Sequence, residues 1–124
     1  MGDDKASLLD RTKAFALRVI RLVDGLPRGR SSDVIGRQLL RSACSVGANY
    51  RSAKRGRSRA EFCSKLGIAE EEADESVYWL ELLVESGQVK KHLLEDLLRE
   101  ANEIVAMLVA SIRTARNRPQ GVEA

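Results

Sequence analysis

A single histidine, two cysteines and a run of carboxylates are the residues of this chain that could do covalent, metal or acid–base chemistry. Their spacing argues against it. His92 stands beside Lys90 and Lys91, where a solvated surface side chain is expected. Cys44 and Cys63 form neither a C-x-x-C motif nor a zinc-ligand spacing, and one histidine cannot complete a His/Cys cluster. Each cysteine lies beside apolar residues in a helical pattern, so a buried free thiol is expected. Glu71 and Glu75 are four residues apart, as are Glu70 and Asp74. Bundle proteins that hold two metals this way also supply Glu-x-x-His motifs, and none is present. The carboxylates therefore read as a solvated face or as partners for Arg and Lys. No nucleophile elbow, phosphate loop, H-E-x-x-H or dinucleotide glycine pattern occurs. The expectation is a non-catalytic chain without metal or cofactor.

The cations carry more information. Arg51, Lys54, Arg55, Arg57 and Arg59 place five positive charges within nine residues, and Arg37 and Arg41 extend them up the same helix. Arginine suits phosphate because its planar fork donates two hydrogen bonds to one anion. These seven residues are the candidate phosphate contacts. The competing reading is that cations at a helix C-terminus compensate the macrodipole. It covers some of them but not Arg57 and Arg59, which open the next helix. A third basic group, Arg113, Arg116 and Arg118, ends the chain's last helix. Aromatic residues are not interleaved with the basic ones, so specific readout of single strands is not expected.

Charge is unevenly divided. Residues 1–60 carry 14 Lys/Arg and 5 Asp/Glu, whereas residues 61–124 carry 7 and 13. Either the chain has a basic face for an anionic partner, or its two halves pair across the fold and cancel.

The elements that must position these groups are helices. Aromatic residues make up 4% of the chain, too few for a typical sandwich or barrel, and Leu, Ala, Arg and Glu abound. Ser7 with Asp10 resembles a capping box, and Leu8, Phe15, Val19, Leu22 and Leu26 follow at helical spacing until Pro27. Ser31 or Ser32 can cap a second helix along Ile35, Leu39, Ala43, Val46, Tyr50 and Ala53. Its opposite side carries Arg37, Arg41, Cys44, Ala48, Arg51 and Arg55. Within it, Ser45 and Asn49 suit hydrogen bonding inside the helix. Gly56 interrupts the pattern, and Ser58 with Glu61 forms a capping box for a third helix reaching Ser86-Gly87. A fourth runs from about Lys91 to Asn117, with Leu94, Leu97, Ala101, Leu108 and Ile112 inward. Gly47 and Gly67 lie inside helical patterns at a cost of about 1 kcal/mol each, which close helix–helix approach would explain. Short connections make consecutive helices antiparallel neighbours. The expected fold is all-α, an up-down-up-down four-helix bundle in a single domain over 1–124. Its ordered core covers about 7–117, and 118–124 form a flexible tail.

Two stretches are too apolar for a bundle that stands alone. Between Val77 and Glu85 only Glu81 and Glu85 are polar, and residues 104–110 are all apolar. A second buried face, and hence a homo-oligomer, accounts for this better than chance exposure. Tyr78, Trp79, Leu82, Leu83, Met107 and Val109 are the candidate interface residues. Reduced thiols and an N-terminus, Met1 to Lys5, without an apolar segment point to the cytoplasm. No apolar run has the length of a membrane span.

Two motifs resemble a known family. The first is Gln38-Leu39-Leu40-Arg41-Ser42-Ala43-Cys44-Ser45-Val46-Gly47-Ala48-Asn49-Tyr50-Arg51. The second runs from Ser58-Arg59-Ala60-Glu61-Phe62 through Lys65-Leu66-Gly67-Ile68-Ala69 to Tyr78-Trp79-Leu80-Glu81-Leu82. Together they resemble the bacterial four-helix proteins encoded by intervening sequences of 23S ribosomal RNA genes, the S23 ribosomal protein family. The resemblance covers roughly residues 8–115. It extends to the accessory variability proteins of diversity-generating retroelements. It implies a ring-shaped homopentamer that binds RNA or DNA through basic residues, without known catalysis. For the retroelement relatives it implies association with a reverse transcriptase; the alternative function is a protein-interaction adaptor whose basic patch docks an acidic protein, such as a reverse transcriptase or other polymerase. Where many members carry an acid soon after the asparagine, this chain has Ser52.

Overall fold

The computed structural model describes residues 7–118. Four helices follow one another: α1 (Leu8–Asp24), α2 (Arg30–Lys54), α3 (Arg59–Glu85) and α4 (Lys91–Arg116). They pack as an antiparallel four-helix bundle. Sequential neighbours touch, α1 closes against α4, and the diagonal pairs α1/α3 and α2/α4 do not meet. The C-terminal ends of α2 and α4 therefore share one end of the bundle with the N-terminal ends of α1 and α3. The expected tail lies outside the described residues except for Arg118.

The helix signals act where the sequence puts them. The Ser7 hydroxyl accepts from the Asp10 amide at 3.2 Å. At the start of α3, the Ser58 hydroxyl accepts from the Glu61 amide at 3.1 Å, and the Glu61 carboxylate accepts from the Arg57 amide at 2.6 Å. Two backbone donors are thus satisfied reciprocally. Helix α3 stops at Gly87, whose φ of 82° is open to glycine. There the Gln88 and Gly87 amides return to the Leu83 and Val84 carbonyls, both at 3.0 Å.

The start of α2 departs from expectation. Neither serine caps it; Gly29 occupies the cap position without a side-chain bond. Ser32 is instead buried and donates to the Gln88 side chain at 2.6 Å. That bond ties the start of α2 to the α3–α4 turn.

The core follows the helical stripes. Phe15, Val19, Leu39, Ala43, Val46, Leu66, Ala69, Leu80, Ile104 and Leu108 are almost wholly enclosed. The pattern did not announce the hydroxyls among them. Ser42 of α2 and Ser76 of α3 are both buried and meet at 2.8 Å, and Ser76 also donates to the Glu72 carbonyl at 2.9 Å. Buried polar groups are tolerated when paired in this way. Among the described residues, no helix is long and apolar enough to cross a membrane.

Candidate nucleic-acid interface

The charged residues fall into two populations. One is consumed in holding the bundle together. Arg11 of α1 grips Glu100 of α4 with two bonds of 2.6 and 3.0 Å, reaches Glu103 at 2.7 Å, and places its remaining nitrogen 3.2 Å from the Met107 sulfur. Those two carboxylates raise the guanidinium further above its ordinary value. Arg18 pairs with Asp96 at 2.8 Å. Arg41 of α2 pairs with Glu75 and, at 3.1 Å, with Glu72, both on α3. Glu75 also accepts from the Trp79 indole at 2.9 Å. Each of these interhelical pairs joins a first-half cation to a second-half anion, so part of the charge asymmetry cancels across the bundle.

Arg41 therefore departs from its expected role: its fork is engaged by two carboxylates. Arg59 departs too. Its guanidinium donates to the carbonyls of Ala115 and Arg118, where the last turn of α4 lacks helical partners. It pins the end of α4 to the start of α3.

The second population is unengaged. Among the described residues, no ion pair involves Arg37, Arg51, Lys54, Arg55 or Arg57. All five are exposed. Four of them line two adjoining grooves. The first, about 540 Å³, lies between α1 and α2, with Lys13, Arg51, Lys54 and Arg55 around Leu9, Ala16, Cys44 and Ala48. The second, about 470 Å³, shares Ala48, Arg51 and Arg55 and runs on to Arg57. Small residues make this trough. A Cβ on Gly47 would sit 3.3 Å from the Thr12 hydroxyl, so α1 and α2 meet here through glycine as the sequence suggested. Cys44 is exposed in the trough rather than buried as expected. Arg37 stands on the same helical face, roughly 20 Å up α2 from the cluster.

Of the third basic group, Arg118 joins at the bundle end. Arg118 lines a cavity of about 390 Å³ with Lys54, Tyr50 and Phe62, and another of about 300 Å³ with Arg57, Arg59 and Phe62. This corrects the reading that aromatic residues stay apart from the basic ones. Tyr50 and Phe62 look like core residues by spacing, and both do pack partly on the core. Both nevertheless also line the cavity of about 390 Å³, beside the last turn of α4 that Arg59 holds. Burial pushes the Tyr50 phenol above its ordinary value.

The candidate interface residues separate likewise. Tyr78 is 53% exposed and packs edge-on against Trp79 at 5.0 Å. Trp79, Leu82, Met107 and Val109 are half-buried. Leu83 is a correction: it is wholly enclosed in its own subunit, because it faces the core one turn from Leu80. Gly67 is another, since no atom approaches its Cβ position within 4 Å. His92 is exposed at the start of α4, the end of the bundle away from the basic groove. Asn49 donates to the Ser45 carbonyl and hydroxyl, both at 2.9 Å, as an internal residue of α2. Among the described residues, no three His, Cys, Asp or Glu side chains converge as a metal site.

Fold and surface together define a class: an antiparallel four-helix bundle with Arg51, Lys54, Arg55 and Arg57, none of them in an ion pair among the described residues, grouped toward one end. The family model for the 23S rRNA-intervening sequence protein matches residues 5–110. The chain belongs to that family. It is similar to a crystal structure from Bacteroides thetaiotaomicron VPI-5482, a protein of unknown function from the S23 ribosomal protein family. The two are 36% identical with a TM-score of 0.81, over 86% of this chain and 99% of that one. No curated protein matches the chain.

Proposed function

We propose that this chain is a non-catalytic, homo-oligomeric cytoplasmic protein that binds RNA or DNA phosphate. The contacts are Arg51, Lys54, Arg55 and Arg57, with Arg37 as an outlying contact. One observation carries the reading: two merging grooves in which Lys13, Arg51, Lys54, Arg55 and Arg57 have no ion-pair partner among the described residues and outnumber the lining carboxylates Asp10 and Glu61. Arg41 and Arg59 have partners of their own and are left out. A cluster this dense is self-repelling, and counterions or polyanion phosphates relieve it. Acid–base chemistry finds no support in a lone histidine at the far end. The two free thiols fit a reducing compartment.

Assembly into the homopentamer that the resemblance implies has separate support. Leu9, Leu17 and Ile20 of α1 are exposed beside the basic groove. On α3, diagonal to α1, Tyr78 is exposed among Glu71, Asp74, Glu81 and Glu85. One face is basic and apolar, the other acidic and aromatic, so copies can meet head to tail. An adaptor that docks a polymerase would use the same exposed apolar side chains.

The test is charge reversal of Arg55 and Arg57 together. Binding to RNA or DNA weakens at least about tenfold, and the slope of log affinity against log salt falls by about two. Unchanged affinity and slope would exclude this groove.

A further inference from the structure

The trough explains phosphate but not the two aromatic side chains at its edge. Tyr50 and Phe62 line the end cavity of about 390 Å³ together with Lys54 and Arg118. Phe62 and Arg118 continue into the neighbouring cavity of about 300 Å³, where Arg57 joins them. Each volume lies in the range of small-ligand clefts, about 300–1,000 Å³. An aromatic wall within reach of several cations is a combination that phosphate binding alone does not need. It suits an unpaired nucleotide, whose base lies on an aromatic ring while its phosphate meets the cations. The interior base pairs of a duplex cannot use such a wall, because both their faces are already stacked.

We propose that the end of the bundle formed by α2, α3 and α4 is a single-strand site. It takes one unstacked base against Phe62 and Tyr50, with the flanking phosphates on Lys54, Arg57 and Arg118. This deepens the nucleic-acid reading above and rests on it. The hydroxyls of Ser111 and Thr114 line the same cavity and can bond a base edge. Arg59 holds the α4 wall in place through the Ala115 and Arg118 carbonyls. Part of that wall, residues 111–118, lies beyond the stretch that the family model matches.

The experiment compares a single-stranded oligouridylate with a blunt RNA duplex of equal length, using wild type and Phe62→Leu. The variant weakens oligouridylate binding roughly tenfold and leaves duplex affinity unchanged. Because Phe62 also packs on the core, a second measurement uses the wild-type protein alone. A 4-thiouridine oligonucleotide is photo-crosslinked, and the adducts map to Phe62, Tyr50 or their immediate neighbours. Crosslinks confined to the α1–α2 trough, or equal weakening of both nucleic acids by a folded Phe62→Leu, overturn the proposal and leave the trough reading standing. Wild-type protein that binds neither nucleic acid removes both.

Discussion

Arg11 shows how much one side chain settles in this fold. It sits at the α1–α4 seam with its side chain 18% exposed, and Glu100 opposite is 22% exposed. A two-pronged guanidinium–carboxylate pair so shielded contributes more than a solvated ion pair does. Removing the arginine also leaves Glu100 half-buried without its main partner, which adds to the loss. Arg11→Ala is expected to lower unfolding free energy by about 2 kcal/mol. Urea denaturation at fixed protein concentration measures it. Arg18→Ala, at the more exposed pair with Asp96, costs less than about 0.5 kcal/mol. Arg11→Lys recovers only part of the loss, because an ammonium cannot reproduce the fork. Equal effects at Arg11 and Arg18 would mean that the seam is held by apolar packing alone.

At the scale of helices, the two interior glycines should behave oppositely. In α2 a Cβ on Gly47 would press on the Thr12 hydroxyl, which is fixed by its 2.7 Å bond to the Leu8 carbonyl. In α3 a Cβ on Gly67 meets nothing. Alanine recovers up to about 1 kcal/mol in a helix where it fits. Gly67→Ala is therefore expected to raise stability by about 0.5–1 kcal/mol, while Gly47→Ala gains nothing or loses. Thermal denaturation of the pair checks this, and a matching gain at both positions would refute close approach at Gly47.

The same helices explain what could be read before the structure. Stripes of Leu, Ile, Val and Ala at three- and four-residue steps name the buried face of each helix, because helical geometry is local. The capping boxes at Ser7 and Ser58 are local too. Short connections then leave little choice of topology. The partners of Arg11, Arg41 and Arg59 were not legible, since they lie dozens of residues away and depend on how helices rotate against each other. Tyr50 and Phe62 do pack on the core as their spacing reads, but their place in the lining of the end cavity was not legible, for a related reason. Spacing gives the face of a helix on which a residue lies, not whether that level of the bundle has a neighbour covering it. Ser32 likewise was drawn from cap to core by Gln88, which no local pattern links to it.

On the scale of the whole molecule, charge does two jobs. Arg11, Arg18 and Arg41 satisfy acids on the neighbouring helix and fix how the helices pair. What remains is a dipole across the bundle. Among the described residues, cations without an ion pair line the α1–α2 groove, and Glu71, Asp74, Glu81 and Glu85, also without one, lie along one side of α3. Two unlike, mutually attractive faces on opposite sides of one subunit favour head-to-tail contacts, which close into a ring when the rotation between copies allows. An isologous dimer would set like charges against each other.

That distinction can be measured. On the proposed assembly, wild-type protein sediments as an oligomer at micromolar concentration. Asp74→Lys with Glu81→Lys sets cations against a basic neighbour and weakens association at least about tenfold at low salt. Added salt narrows the difference, because exposed charges are screened beyond roughly 8 Å at physiological ionic strength. The decisive step is a second reversal, Arg37→Glu with Arg51→Glu, in the same chain. If the α3 face meets the α1–α2 face of the next copy, the charge-swapped subunit regains assembly that either reversal alone has lost. If the copies meet face to like face, the second reversal adds nothing. A wild type that sediments as a monomer would instead leave both faces free for other partners, and the exposed Tyr78 and Ile20 would need a different explanation.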